Sequence, residues 1–160
     1  MADDPSPTRA APAAPAAPPA PTPRVIATHS FEVRPSDCDP LGHMNVARYF
    51  DGCSDAGFYL QGLWTLTPED ITAGRRIAFV VLSAESRFLR ELRVGDRIDV
   101  RSHLAHMGTK SLRVMHRFFH EDAHVFETQF TLVLMDLTAR AAMVIPPDLR
   151  QAIEAAHGTA

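Results

Sequence analysis

The alternation of apolar and polar residues divides the chain into one helical segment and a strand-rich second half. From Val46 to Leu60 apolar residues recur at intervals of three and four, which predicts an amphipathic helix over about Asn45 to Gln61. Beyond it, long segments of alternating character predict four strands joined by antiparallel hairpins. These strands are expected at about Ile77–Glu91, Asp96–His106, Lys110–His120 and Ala123–Leu137.

Shorter elements flank this pattern. A first strand is predicted from Ala27 to Arg34, because Pro35 ends it. Thr67 to Asp70 is interpreted as a loop, and Pro146-Pro147 as the start of a short terminal helix. The prediction is an α+β fold in which a five-stranded antiparallel sheet covers a long helix. Gly52 and Gly57 each cost about 1 kcal/mol inside a helix, so we expect both to face the sheet.

The first 23 residues differ from the rest in composition. They hold eight of the 13 prolines, eight alanines and no glycine, which predicts a disordered or polyproline-like tail. One folded domain is expected over residues 24–160. The acidic, proline-interrupted start lacks the features of an export signal, and no apolar run is long enough to span a bilayer.

Charge and cysteine content exclude several classes of protein. A net charge of -3 leaves no basic surplus for a nucleic-acid backbone. The two cysteines, Cys38 and Cys53, are too few for a disulfide framework and lack the spacing of a zinc site. His116, His120 and His124 are spread along a predicted strand and turn, so convergent metal ligation is not expected. A cytoplasmic protein without a metal or cofactor is the expectation.

The candidate chemistry lies where the first turn meets the helix. Asp39, Pro40 and Gly42 occupy the positions that these residue types prefer in a type I turn. Asn45 is a plausible N-cap, since its side chain can accept a hydrogen bond from the first turn. A carboxylate beside the unpaired N–H groups of a helix can attack or activate water at a carbonyl group and stabilise the oxyanion.

The segment from Val33 to Phe50, with its Asp-Cys-Asp, Gly-His-Met-Asn and Tyr49, resembles the entry motif of the hotdog-fold thioesterases. The branch it is most similar to is the 4-hydroxybenzoyl-CoA thioesterase family, including the tol-pal-associated acyl-CoA thioesterases. Phe88 to Asp96 and Gly108 to Ser111 also resemble that family. The resemblance implies a long central helix wrapped by the sheet, hydrolysis of acyl-CoA, and a homodimer or homotetramer with the pocket between subunits.

The same resemblance assigns roles to individual residues. It places the catalytic carboxylate at Asp39, as nucleophile or general base, and the carbonyl-polarising N–H at Val46. His43 orients water or binds substrate, or else bonds to nearby backbone. Apart from the resemblance, Asn45 is expected as a cap beside the substrate and Tyr49 as a core residue that lines the acyl pocket. Arg87, Lys110 and Arg113 are candidates for the coenzyme A phosphates, and Lys110 is favoured by its hairpin position. The arginines that some family members carry just before that position are replaced here by Gly108 and Thr109.

Three alternatives remain open at this stage. Asp51 and Asp55 lie on the predicted helix, where another hotdog branch carries its acid, yet a solvated or interface face explains them better. The carrier could be acyl-carrier protein instead of coenzyme A. A non-catalytic acyl-thioester-binding or scaffold protein would keep the pocket without turnover.

Overall fold

The computed structural model of the protein describes residues 23–158. Within them lie six strands and three helices, with a short 3-10 turn at Pro35–Asp37 after the first strand. The predicted tail lies outside the described residues except for Pro23. In chain order the elements are β1 (Ile26–Glu32), α1 (Val46–Leu63), α2 (Pro68–Thr72), β2 (Ile77–Phe88), β3 (Arg97–Met107), β4 (Ser111–His120), β5 (Ala123–Asp136), β6 (Ala141–Ala142) and α3 (Pro147–His157).

The strands form one antiparallel sheet in the order β1-β3-β4-β5-β2, with β6 paired to β5. Register shifts place an extra residue in β1, β2, β3 and β5, and such bulges increase the local twist of a sheet. This curled antiparallel sheet with few helices confirms the α+β class and fits the hotdog type of fold. No helix in the described range is long and apolar enough to cross a membrane.

Helix α1 forms where the apolar periodicity predicted it, with Asn45 as its N-cap. Its buried positions include Tyr49, Cys53, Ala56 and Leu60, which follow the predicted spacing of three and four. These side chains pack against the alternating apolar residues of β3, β4 and β5, and together they form the main core. The apolar face of α1 is therefore buried against the sheet, as the spacing of apolar residues predicted.

The closest approach of α1 to the sheet is at Gly52. A Cβ atom at this position would lie 3.1 Å from ring atoms of both Phe118 and Phe31. Phe118 is fully buried and is itself held at 5.0 Å, centroid to centroid, from Phe126. The expectation that Gly52 faces the sheet is confirmed. Gly57 also faces the sheet, across a space lined by Phe79 and Phe130, but a Cβ there would meet nothing within 4 Å, so no close approach requires a glycine at this position.

Three local expectations were wrong. Thr67 is the N-cap of the short helix α2, although the sequence predicted a loop there. The helix forms because Thr67 and Asp70 make a reciprocal capping box that stabilises its start. β2 and β3 are not a hairpin, because β2 pairs with β5 and β3 with β1. The sheet has a sixth strand, since the chain turns back after β5 and Ala141–Ala142 adds two residues to that edge.

Gly52 and Gly57 provide a matched test of helix packing. Gly57→Ala should raise the free energy of unfolding by up to about 1 kcal/mol, because alanine favours the helix and the site is open. Gly52→Ala should lower it by about 1–3 kcal/mol, because the added methyl group must displace a buried ring. Urea denaturation of the two variants measures both values. A stabilised Gly52→Ala variant would contradict the close approach of α1 to the sheet.

Candidate active site

Asp39 lies in the turn that leads into α1, and its carboxylate is partly buried. The Leu41 N–H donates to Asp39 Oδ1 at 2.9 Å, and the Gly42 N–H donates to the Asp39 carbonyl at 2.9 Å. Gly42 has φ +85°, a left-handed conformation that glycine adopts without strain. The predicted tight turn is confirmed, and it fixes the direction of the carboxylate.

Asn45 links this turn to the helix. Its Oδ1 accepts from the Ala47 N–H at 3.0 Å, which is the predicted N-cap. Its Nδ2 donates to Asp39 Oδ2 at 3.3 Å, a contact that the sequence analysis missed. Both ends of one amide are thus used, so the start of α1 and the Asp39 carboxylate are held in a fixed relation.

The loop between Asp39 and α1 is anchored to the rest of the molecule by its backbone. The N–H of Met44 donates to the Leu92 carbonyl at 2.7 Å, and the N–H of Asn45 donates to the Asp37 carbonyl at 2.8 Å. The Met44 side chain is buried in the core. Because this anchor immediately precedes α1, the unpaired N–H groups of the first helical turn have a defined position.

A pocket of about 480 Å³ opens beside Asp39. Four predicted site residues border it: Asp39, His43, Val46 and Tyr49. Its other walls are formed by Leu41 and Met44 from the loop and by the segment Phe88–Glu91 after β2. The pocket therefore combines two carboxylates, those of Asp39 and Glu91, with the Arg90 cation, a helix N-terminus and a largely apolar wall. We refer to it as the Asp39 pocket.

Tyr49 forms the floor of the Asp39 pocket. Its ring lies 5.1 Å from Phe88 and 4.8 Å from Phe126, between centroids. Burial raises the pKa of Tyr49 to about 12, and the nearby charges of Glu91 and Asp96 add to this effect. The phenol stays protonated at neutral pH, so it can donate a hydrogen bond but carries no charge.

Three nearby aspartates, Asp37, Asp51 and Asp55, lie away from the Asp39 pocket. Asp37 Oδ2 accepts from the Arg34 N–H at 2.8 Å and so stabilises the 3-10 turn. Asp51 pairs with Arg48 at 2.8 Å, and Asp55 lies 3.5 Å from His29. All three line a separate cleft of about 380 Å³ between β1 and α1. The structure thus separates Asp39 from the other candidate carboxylates.

Lys110 does not join the Asp39 pocket within one chain. It precedes β4, where its carbonyl accepts from the Leu134 N–H, and its Nζ donates to the Ala142 carbonyl at 3.4 Å. Tyr49 of the pocket packs on Phe126 of β5, whereas Lys110 bonds to Leu134 of the same strand. Eight residues separate Phe126 from Leu134, which corresponds to about 25 Å along the strand. Arg87 instead pairs with Glu127 at 3.2 Å.

Two charged residues at the pocket wall, Arg90 and Glu91, were not among the sequence candidates. They belong to the Phe88–Asp96 segment, which resembles the thioesterase family. That resemblance is the sequence signal from which these two residues could have been predicted. Among residues 23–158 no group of three or more His, Cys, Asp or Glu side chains is arranged to hold a metal ion.

A sequence model of the thioesterase-like superfamily matches residues 33–153, most of the folded chain. The protein belongs to this superfamily and is a thioester hydrolase. No curated protein gives a match.

Several solved structures share the fold. A Staphylococcus aureus protein in complex with coenzyme A is 18% identical, with a TM-score of 0.72, 84% of this chain covered and 83% of that one. A gentisyl-coenzyme A thioesterase is 21% identical, with a TM-score of 0.69 and coverage of 81% and 99%. A predicted thioesterase from Bacillus stearothermophilus is 17% identical, with a TM-score of 0.73 and coverage of 82% and 96%. At these identities the likeness shows the hotdog-type fold.

Proposed function

We propose that the protein hydrolyses acyl-coenzyme A to a carboxylic acid and free coenzyme A, with Asp39 as the catalytic carboxylate. The observation that carries the proposal is that Asp39 and the N-terminus of α1 border one pocket with an apolar wall. A thioester needs these three features, because its carbonyl must be attacked, its oxyanion stabilised and its acyl group kept from water.

The hydrogen bonds of Asp39 support this role. Each carboxylate oxygen accepts one bond, Oδ1 from the Leu41 N–H and Oδ2 from the Asn45 amide. Each oxygen retains a further lone pair for chemistry. As a nucleophile, Asp39 forms an acyl anhydride and releases the thiolate, and water then hydrolyses the anhydride. As a general base, it removes a proton from the water that attacks the carbonyl carbon. Both routes consume one water and yield the same products.

The N-terminus of α1 supplies the complementary charge. Val46 is the first residue of the helix. In the first turn the Ala47 N–H donates to Asn45 Oδ1 and the Arg48 N–H donates to the Asn45 carbonyl, which leaves the Val46 N–H without a partner among the described residues. The N–H groups of this turn carry a partial positive charge that favours a developing oxyanion. His43 borders the same pocket, where it orients water or binds the substrate.

The apolar wall of Met44, Phe88 and Tyr49 suits an acyl group next to the thioester. Coenzyme A as the carrier is supported by the related fold of the Staphylococcus aureus protein, which was solved with that molecule bound. Arg90 at the rim is the cation of this chain that lies beside the pocket. Cys38 and Cys53 are both free thiols, which fits the predicted cytoplasmic location.

A second copy of the chain completes the site in this proposal. β2 is an edge strand of 12 residues, and an edge strand leaves backbone N–H and C=O groups unpaired. Val81 and Leu82 on β2 are 54% and 70% exposed, and Phe58 on α1 is 59% exposed. An apolar edge of this length favours antiparallel pairing with β2 of a second copy, and such pairing is symmetric.

Antiparallel pairing also explains Lys110. Phe88 ends β2 beside the Asp39 pocket, whereas Ile77 begins it near Asp136, at the same end of the sheet as Lys110. In an antiparallel pair, the Ile77 end of one β2 lies beside the Phe88 end of the other. Lys110 of one copy is thereby brought towards the Asp39 pocket of the other, where it can meet the phosphates of coenzyme A.

The first prediction concerns Asp39. Asp39→Asn should lower kcat for acyl-CoA hydrolysis at least a hundredfold, because an amide neither attacks the carbonyl group nor accepts the proton from water. Release of free thiol from short, long and aromatic acyl-CoAs is the measurement. Asp37→Asn is the control, since that acid lies outside the pocket. Activity of Asp39→Asn within threefold of the wild type would refute the role.

Asn45 tests the positioning of that carboxylate. Asn45→Ser keeps an N-cap oxygen but loses the amide that donates to Asp39, so kcat should fall about tenfold with KM little changed. The free energy of unfolding should change by less than about 0.5 kcal/mol, since serine caps as well as asparagine. Parallel kinetics and urea denaturation separate the two effects. If the fall in kcat is fully explained by a lower free energy of unfolding, Asn45 acts only as a helix cap.

The second copy is tested with two valines of equal exposure. Val81 on β2 and Val94 on the loop before β3 are both 54% exposed. Val81→Glu should shift the sedimentation profile to the monomer and lower activity, because it places a charge in the interface. Val94→Glu should remain a dimer or a dimer of dimers. A wild-type protein that is monomeric at micromolar concentration would contradict the proposal.

A further inference from the structure

An open apolar groove lies between the C-terminal end of α1 and helix α3. Its volume is about 490 Å³, and no residue that lines it also lines the Asp39 pocket. Tyr59 and Leu63 lie one helical turn apart on α1 and are 49% and 41% exposed. The α3 side of the groove is formed by small residues: Ala152, Ala155 and Ala156. Arg24 is the one charged residue among those that line this space, which we refer to as the α1–α3 groove.

The shape of the α1–α3 groove suits an extended chain. Alanine carries a single methyl group, so the α3 side is shallow and leaves room for a backbone to lie along it. Tyr59 gives the α1 side an aromatic ring with a hydroxyl group at its edge. Polyproline II segments bind to grooves that are lined by aromatic side chains in this way. The groove therefore fits a proline-rich ligand.

The chain enters the described part of the structure at this groove. Arg24, which lines the groove, directly follows the Pro/Ala-rich tail. Pro23 is the one residue of that tail within the described range, and it is half-buried. Burial lowers the pKa of His157 on α3 to about 4, and the backbone of Arg24 lies close enough to this ring to oppose that shift. The tail is therefore joined to the folded domain beside α3.

The tail contains a proline repeat that matches the polyproline II helix. Residues 10–23 have no charged side chain, since the charged residues of the tail precede them. Prolines occur at every third position of this segment, at Pro12, Pro15, Pro18 and Pro21. A polyproline II helix has three residues per turn, so these four rings would share one face. Pro19 would lie off that face.

We propose that residues 15–23 bind in the α1–α3 groove of their own chain as a polyproline II segment, with the repeated prolines against Tyr59 and Leu63. Pro18 and Pro21 make the central contacts, because they lie about 9 Å apart along such a helix and the two α1 side chains about 6 Å apart. The carbonyl groups of a polyproline II helix have no internal partners, so one of them accepts a hydrogen bond from the Tyr59 hydroxyl. This inference goes beyond the proposed function and does not depend on it.

The covalent connection favours the chain's own tail over other occupants of the groove. Because the tail adjoins Arg24, the tethered segment is present at an effective concentration on the order of 1 mM. Polyproline II is a low-entropy conformation for a proline-rich segment, so binding costs little conformational entropy. A free ligand of the same chemistry would also lose its translational freedom. The uncharged segment buries no unpaired charge in the apolar groove, so weak contacts suffice to hold it there.

NMR relaxation of the isotope-labelled full chain tests the inference. The amides of Ala16, Ala17, Ala20 and Thr22 report on the segment, whereas its prolines have no N–H. Their backbone order parameters should exceed about 0.6, the value below which a backbone is flexible on the picosecond to nanosecond timescale. Order parameters below that value in the wild type would overturn the inference.

Two matched pairs of variants test the segment and the groove. Pro21→Asp places a charge on the repeated face and should lower these order parameters below about 0.6, whereas Pro19→Asp, off that face, should not. Leu63→Glu in the groove should have the effect of Pro21→Asp, and Val144→Glu, at a residue that is 53% exposed outside the groove, should have none. A segment that stays ordered in Pro21→Asp or in a folded Leu63→Glu variant is not held by this groove, and the inference is then wrong. If Leu63→Glu does not fold, the two tail variants decide the test, because they leave the folded domain unchanged.

The monomer separates the chain's own groove from that of a second copy. The relaxation measurement is repeated on the form that sediments as a monomer, either the wild type or Val81→Glu. The order parameters should stay above about 0.6, because binding within one chain needs no partner. A segment that is ordered only in the oligomer binds to the second copy, which would overturn the assignment to its own chain. Absence of acyl-CoA hydrolysis by the wild type would refute the proposed function without bearing on this inference.

Discussion

The contact of Gly52 with Phe118 and Phe31 is the constraint on which the rest of the structure depends. With no side chain at this position, the backbone of α1 lies directly on buried rings of the sheet. A methyl group would lie 3.1 Å from both rings, which would have to shift by a few tenths of an ångström, so the absence of a side chain lets the helix lie this close to the sheet. The start of α1 lies less than two turns away and takes its position from this contact. The catalytic machinery proposed here is attached to that end.

The helix start in turn organises the chemistry. Asn45 is a cap by residue type, but its amide also reaches the Asp39 carboxylate, so helix formation and carboxylate orientation are coupled. The Met44 backbone ties the same loop to Leu92. Asp37, two residues before Asp39, faces the opposite cleft. One short segment thereby places one acid at an apolar pocket and the other in a polar network.

The edge strand β2 differs from the strands at the centre of the sheet in how much apolar surface it exposes. The inner face of β4 and β5 is buried, whereas β2 exposes apolar side chains over much of its length. The Asp39 pocket borders this strand at Phe88, and a groove between α1 and the sheet borders it at Phe79, Val80 and Val81. In the proposed dimer, pairing of this edge with a second copy of the chain would complete the wall of the Asp39 pocket.

The sequence by itself determined the class of fold and the position of the chemistry. Periodicity of three and four placed α1, alternation placed the long strands, and the turn preferences of Asp39 and Gly42 placed the carboxylate before the helix, because these signals are local. Local signals do not specify partners in space. The pairing of β2 with β5, the open surroundings of Gly57 and the distance of Lys110 from the pocket depend on how distant segments meet. So does the contact of Asn45 with Asp39. Only the tertiary structure decided these, because hydrogen-bond partners and burial are set by packing between residues far apart in the chain.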